Sequence, residues 1–237
     1  MIDSYNAYLF DLDGVITPTV ELHRRAWAET FDAFFASRGL PPYHEEEYFA
    51  SLDGRNRFEG VRALLAARGV ALPEGVPGET GLDSVIGIGN RKNAAFTEVL
   101  ERDGIAPYPG SLRLLDRLAS QGARLAVVSS SRNAEAVLRA AGLRERFLAV
   151  VDGVVAEREG LAGKPAPDTF VRAAALLGAA PSEAVVFEDA ASGVAAARAG
   201  GFGLVVGVDR GAGPAALLAA GADRAVPDLA ELLEEDA

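Results

Sequence analysis

At 237 residues the chain is long enough for one large or two modest domains built around a substantial core. Hydrophobic residues make up 49% of it, as in a helix-rich α/β protein, while a formal net charge of −11 argues against nucleic acid or an anionic membrane as partner. Cysteine is absent, which excludes disulfides and thiolate metal sites.

The first predicted element is the apolar run Ala7-Tyr8-Leu9-Phe10, a buried strand that runs into Asp11-Leu12-Asp13-Gly14. Side chains alternate along a strand, so Asp11 and Asp13 point roughly the same way. Gly14 allows a tight turn that leaves both acids at the strand's carboxyl end, where open α/β sheets place ligands. That arrangement suits a metal-assisted nucleophile beside a general acid/base. The alternative is a strand end capped by solvated acids.

From Thr19 to Asp103 the patterns are helical. A long amphipathic helix opens at Thr19 and carries Leu22, Ala26, Trp27, Phe31, Phe34 and Phe35 at three-to-four spacing. Further helices are expected over 45–52, 57–68 and 90–101, with a Gly/Pro-rich loop over 69–81. Strand and helix then alternate. Strands are predicted at 124–129, 148–152, 184–188, 203–208 and 224–226, and helices at 111–121, 133–141, 167–177, 192–199 and 214–220. Such alternation implies an α/β fold with a doubly wound parallel sheet. The helical stretch, 19–103, becomes an insertion into a core of 1–18 and 104–237, joined by two linkers able to act as a hinge. The sequence closes on the acids Glu234-Glu235-Asp236. No basic segment followed by an apolar stretch marks a secretory signal and no apolar run is long enough to span a bilayer, so a cytoplasmic protein is expected.

Three more segments sit at strand ends or helix starts. Val127-Val128-Ser129-Ser130-Ser131-Arg132-Asn133 delivers hydroxyls into a helix start, which favours an anion. An ordinary Ser/Asn cap is its alternative reading. In Gly163-Lys164-Pro165-Ala166-Pro167-Asp168 two prolines stiffen the backbone around one lysine; otherwise that lysine is a solvated charge. Val185-Val186-Phe187-Glu188-Asp189 closes a strand with adjacent acids, hard oxygen donors of the kind Mg²⁺ takes.

In this order and spacing the four segments resemble the haloacid dehalogenase superfamily, largely phosphate-transferring enzymes, over essentially the whole chain. The resemblance implies a Rossmann-like core with a small α-helical cap. It implies that Asp11 is the nucleophile, forming an aspartyl phosphate, and Asp13 the general acid and base. Ser129 and Lys164 would hold the phosphoryl oxygens, and Mg²⁺ would be bound by Asp11, the backbone carbonyl of Asp13, Glu188 and Asp189.

His23-Arg24-Arg25-Ala26-Trp27, Leu52-Asp53-Gly54-Arg55-Asn56-Arg57, Arg91-Lys92-Asn93 and Tyr108-Pro109-Gly110 look like the β-phosphoglucomutase branch of that superfamily. In that branch the residues matching His23 and Lys92 lie near the catalytic acid and the sugar. The arginine matching Arg57 reaches the distal phosphate, with Ser131, Arg132 and Asn133 at the same site. Trp27, Gly54 and Ser130 complete the candidate substrate-binding set. Against these stand blander readings: His23 as an interface histidine, Arg55 and Arg57 as solvated charge, and Trp27 as cap core. Pro18, Asp53 and Gly60 depart from the acid, lysine and serine expected there, and Arg132 replaces a lysine. The implied activity is a Mg²⁺-dependent, monomeric β-phosphoglucomutase acting on a small sugar phosphate. A phosphatase of a sugar phosphate or other small phosphorylated metabolite is the first alternative, and a non-catalytic phosphosugar-binding regulator the second.

Overall fold

A computed structural model describes residues 2–234; the last two acids of the 234–236 run lie outside the described residues. The chain divides into two compact units, Thr19–Gly104 and Met1–Pro18 with Ile105–Ala237.

The unit Thr19–Gly104 is helical: α1 (Thr19–Ser37), a π-helical turn (Tyr48–Leu52), α2 (Arg57–Ala67) and α3 (Val85–Asp103). α1 buries His23, Ala26, Trp27, Thr30, Phe31, Phe34 and Phe35, the stripe its spacing predicts, although Leu22 is only half-buried. Those aromatics share one core with Tyr48, Leu52, Val61, Leu64, Val85 and Ile88.

Two predicted helices differ from those observed. The element expected over 45–52 is helical from 46 to 52, its second part, Tyr48–Leu52, wound as a π-helix and closed by Asp53 N donating to Tyr48 O at 2.9 Å. The one expected from 90 begins at Val85, because Ser84 Oγ accepts from Gly87 N at 3.0 Å and caps it. The preceding loop completes the cap, as Pro73 O and Glu74 O accept from Val85 N and Ile86 N at 3.1 and 3.0 Å. Gly87 and Gly89 read as helix breakers but are points of close approach. A Cβ on Gly87 would lie 2.6 Å from Gly81 O, and one on Gly89 2.8 Å from the Phe58 ring.

In the other unit six parallel strands form one sheet: β1 (Ala7–Phe10), β2 (Arg124–Val128), β3 (Ala149–Val151), β4 (Ala184–Glu188), β5 (Leu204–Val208) and β6 (Arg224–Val226). Their order is β3-β2-β1-β4-β5-β6. Ala7 aligns with Arg124 and Ala184, and Phe10 with Val127 and Phe187. Around the strands run α4 (Pro109–Ser120), α5 (Ala134–Ala140), α6 (Gly153–Glu159), α7 (Asp168–Leu176), α8 (Ala191–Ala199), α9 (Pro214–Ala220) and α10 (Glu231–Glu234). This is the doubly wound α/β sheet that the alternation predicts. All of β1 is buried, and Leu9, Ala126, Val128, Phe170, Val186, Val194 and Val205 join one core. Each large apolar side chain so buried is worth about 1.5–3 kcal/mol before conformational entropy is counted.

α6 carries no apolar stripe and was not predicted. Asp152 creates it, accepting from Val154 N and Val155 N at 2.9 Å each, and the strand expected over 148–152 stops at Val151 for that reason. From β1 the chain winds outward through β2 and β3, then crosses back to β4 and continues to β6. β1 is therefore the switch point, and the carboxyl ends of β1, β2 and β4 open a crevice between diverging connections.

Candidate active site

Asp11 follows β1 directly, its N–H donating to Phe187 O at 2.9 Å, so the ladder carries its buried carboxylate to the sheet's edge. Glu188 ends β4 and Asp189 follows it. Lys164, from the loop between α6 and α7, donates from Nζ to Asp11 Oδ1 at 2.5 Å and to Glu188 Oε2 at 2.7 Å. Its third neighbour is Val128 O at 3.4 Å. Oxygens of Asp11, Glu188 and Asp189 all lie within 4.8 Å of one another, and all three residues are buried.

Buried charge at this density shifts protonation. Burial works to lower Lys164, but the Asp11 and Glu188 carboxylates outweigh it and hold the ammonium above its ordinary value. Asp11 is raised well above the usual carboxylate range, first by burial and then by Glu188, with Lys164 pulling the other way. Three carboxylates around one ammonium leave an excess of negative charge. Hard oxygens so grouped fit a divalent cation such as Mg²⁺.

Beside this cluster Asp13 Oδ2 accepts from Ser129 Oγ at 3.1 Å. The same hydroxyl accepts from Ser131 N at 3.0 Å, and Ser131 Oγ from Asn133 N at 3.1 Å. Ser129, Ser130, Ser131 and Asn133 thus form a tight turn at the end of β2, leading into α5. Arg132 in that turn is ion-paired with Glu157 on α6, a partner that its sequence neighbourhood does not reveal. Gly153 packs beneath: a Cβ there would lie 2.9 Å from Ser130 O and 3.0 Å from Arg132 Cγ.

Within the helical unit α1 and α3 bring three candidates together. Lys92 Nζ meets His23 Nδ1 and lies 5.0 Å from the centre of the Trp27 ring and 5.3 Å from that of Phe96. His23 stacks on Phe96 at 4.2 Å, with the rings 2° from parallel. A buried ammonium over two aromatic faces is stabilised by their quadrupoles. Phe96 was not singled out in the sequence, where it reads as one more core aromatic. Trp27 also stacks on Phe31 at 5.4 Å, so it serves the unit's core. Gly54 lies in the turn between Leu52 and α2, and Arg57 is the first residue of α2. Gly54 has φ +69°, and Arg57 Cζ lies 4.9 Å from the Phe58 ring.

The family described as haloacid dehalogenase-like hydrolase matches residues 5–201. The chain is 46% identical over 242 residues to a protein of Mycobacterium bovis named beta-phosphoglucomutase, covering 98% of this chain and 92% of that one. It is 32% identical over 209 residues to fructose-1-phosphate phosphatase YqaB of Escherichia coli, covering 86% and 97%. Among solved structures, a mutant CbbY of Rhodobacter sphaeroides in complex with xylulose-(1,5)bisphosphate matches with a TM-score of 0.74 at 30% identity, over 96% of each chain. No helix among the described residues is long and apolar enough to cross a membrane. A family match of that extent, on a sheet whose central strand ends in the Asp11-Leu12-Asp13-Gly14 turn, makes the chain a member of the haloacid dehalogenase-like hydrolase family.

Proposed function

We propose that the protein is a Mg²⁺-dependent β-phosphoglucomutase that converts β-glucose 1-phosphate into glucose 6-phosphate through a phosphorylated Asp11 and a sugar bisphosphate. The observation that carries this reading is the buried ammonium of Lys164 bridging Asp11 and Glu188, set in a chain 46% identical to a named beta-phosphoglucomutase.

A phosphate monoester near neutral pH carries about two negative charges and repels a carboxylate nucleophile. When held by Asp11, the Asp13 backbone carbonyl, Glu188 and Asp189, Mg²⁺ supplies positive charge that offsets this repulsion. Lys164 and the Ser129 hydroxyl hold phosphoryl oxygens and spread the charge that builds on them. Asp11 attacks in line, so one hard displacement becomes two easier ones. Asp13 gives its proton to the leaving sugar oxygen and later accepts one from the attacking hydroxyl.

A mutase must retain the bisphosphate while its ends exchange, so it needs a second phosphate cradle. Arg57 and Arg132 are assigned to it as planar, two-pronged donors, with Ser131 and Asn133. His23 and Lys92 are assigned to the sugar, with the helical unit serving as a cap. The absence of cysteine is compatible with a reducing, cytoplasmic setting.

The test is to supply β-glucose 1-phosphate with a trace of the bisphosphate and follow glucose 6-phosphate and inorganic phosphate together. Isomerisation without net phosphate release supports the mutase; rapid release without isomerisation removes it. A second reading, a sugar-phosphate phosphatase, is favoured by Asp53 and Gly60 at positions where the mutase branch is expected to carry lysine and serine, and by the 32% likeness to fructose-1-phosphate phosphatase. Turnover across a panel of phosphate monoesters tests it, and inactivity on all of them would count against it.

A further inference from the structure

Arg210 lies in the loop between β5 and α9, 196 positions from Gly14, yet it reaches the turn that carries Asp13. Its Nε donates to Gly14 O at 2.7 Å and its Nη1 to Pro227 O at 2.9 Å. Its Cζ lies 3.9 Å from the centre of the Tyr108 ring, and its Nη2 lies 3.9 Å from Asp228 Oδ2. The side chain is 15% exposed. Burying a guanidinium costs desolvation, which the two carbonyls, the Tyr108 ring and the nearby Asp228 carboxylate offset.

What it holds is one link in a chain of restraints. Three successive carbonyls after Asp13 each accept from a donor elsewhere in the core unit. Gly14 O takes Arg210, Val15 O takes Ser111 Oγ at 2.6 Å, and Ile16 O takes Tyr108 N at 2.9 Å. On its other side Gly14 donates from N to Thr17 O at 2.8 Å. The Gly14 N–H and the Asp13 carbonyl belong to one peptide plane. Gly14 is thus gripped at its N–H by Thr17 and at its C=O by Arg210, which restrains both of its backbone torsions and the peptide plane to which the Asp13 Cα is bonded. Glycine has more rotational freedom than any other residue, so this is the position where an outside grip matters most.

We propose that Arg210 is a positioning residue for the general acid: by anchoring the Gly14–Val15 peptide it holds Gly14 in place, and with it the backbone from which the Asp13 carboxyl is aimed at the leaving oxygen. The inference rests on Asp13 as the acid. Lysine cannot replace arginine here, because a point charge cannot reach two carbonyls and stack on Tyr108 together.

General-acid help matters in proportion to how poor the leaving group is. A sugar alkoxide needs the proton; acetate leaving from acetyl phosphate does not. The experiment measures single-turnover release of sugar monophosphate from the sugar bisphosphate and of acetate from acetyl phosphate, in wild type, Arg210→Lys and Arg210→Met. Thermal melting of each variant establishes that it is folded. Sugar monophosphate release is expected to fall by about tenfold or more in both variants, with acetate release within about twofold of wild type and KM little changed. Added ethylguanidinium should restore sugar monophosphate release in Arg210→Ala. Equal losses on both substrates would make Arg210 a general structural support, and no loss on either would make it dispensable; each overturns the proposal. A wild-type enzyme that releases neither product removes the phosphoryl-transfer reading itself, an outcome distinct from a failure of Arg210 alone.

Discussion

Gly14 leaves open the space that the Asp189 carboxylate fills: a Cβ on Gly14 would lie 2.6 Å from Asp189 Cγ. Gly14 also has φ +88°, in the left-handed region. The turn that presents Asp13 and the carboxylate assigned to the cation therefore fit together only with glycine between them. Gly14→Ala should cost about 1–2 kcal/mol through backbone strain alone, and it must also displace Asp189. The expected result is a melting temperature lower by several degrees and an affinity for Mg²⁺ weaker by about tenfold or more in titration calorimetry. Unchanged affinity would remove Asp189 from the ligand set.

Asp11 sets function against stability. Its carboxyl is raised well above 3.8 by burial and by Glu188, so its ionised form is disfavoured in the metal-free fold. A carboxyl raised in this way contributes stability that is complete below its unfolded value and is lost as pH rises through its folded one. Asparagine does not titrate and leaves Lys164 paired with Glu188. Metal-free Asp11→Asn should therefore gain stability relative to wild type as pH rises above the ordinary carboxylate value of 3.8, while losing all turnover. Saturating Mg²⁺ should shrink that advantage. Thermal melts of both proteins across pH check the first part, and activity retained in a contaminant-free preparation would contradict Asp11 as nucleophile.

In the helical unit Arg68 staples Glu47. Arg68 Nε and Nη2 lie 2.5 and 2.6 Å from the two carboxylate oxygens. Nη1 and Nη2 also donate to Pro41 O and Pro42 O at 3.1 and 2.7 Å, while Cζ sits 4.4 Å from the centre of the Phe35 ring. The bond from Arg68 lowers Glu47 below 4.5 against the opposing effect of burial. Its stabilisation is present above that value and disappears as pH falls through the lowered one. Glu47→Gln should cost about 1 kcal/mol at neutral pH, allowing for partial exposure. The difference in melting temperature from wild type should vanish in acid; a difference that persisted there would mean that packing, not charge, is lost.

Much of the sheet is legible because strands covered on both faces read as unbroken apolar runs, as at Ala184–Glu188. The acids that end β1 and β4 stand out against such runs for the same reason. α6 is not legible, since a single cap, Asp152, sets it in place of an apolar stripe. The start of α3 is hidden by Gly87 and Gly89, whose purpose is close packing with partners from other segments. Lys164 can be singled out as a lysine between prolines, but its bond to Asp11 spans 153 positions and depends on the fold. Arg210 shows the limit most clearly. In a glycine-rich loop it reads as a solvated charge, and only the sheet brings residues 14, 108 and 227 around it.

Arg132 and Glu157 make the last prediction. Their ion pair is part-exposed, at 32% and 69% of each side chain, so it is weak and screened by salt. If Arg132 binds the distal phosphate, Glu157 competes with that phosphate for the same guanidinium. Releasing it by Glu157→Gln returns at most about 0.2–1 kcal/mol, so KM for the sugar phosphate should fall by no more than about fivefold, with kcat unchanged. Arg132→Ala should instead raise KM by about tenfold or more, because a charge-assisted two-pronged contact is lost. The benefit of Glu157→Gln should fade at high salt, where the competing pair is already screened. Steady-state kinetics on the three proteins at two salt concentrations decide the matter. Were Glu157→Gln to leave KM unchanged and Arg132→Ala to behave like wild type, the arginine would belong to the surface of α6 and the second phosphate would be held elsewhere.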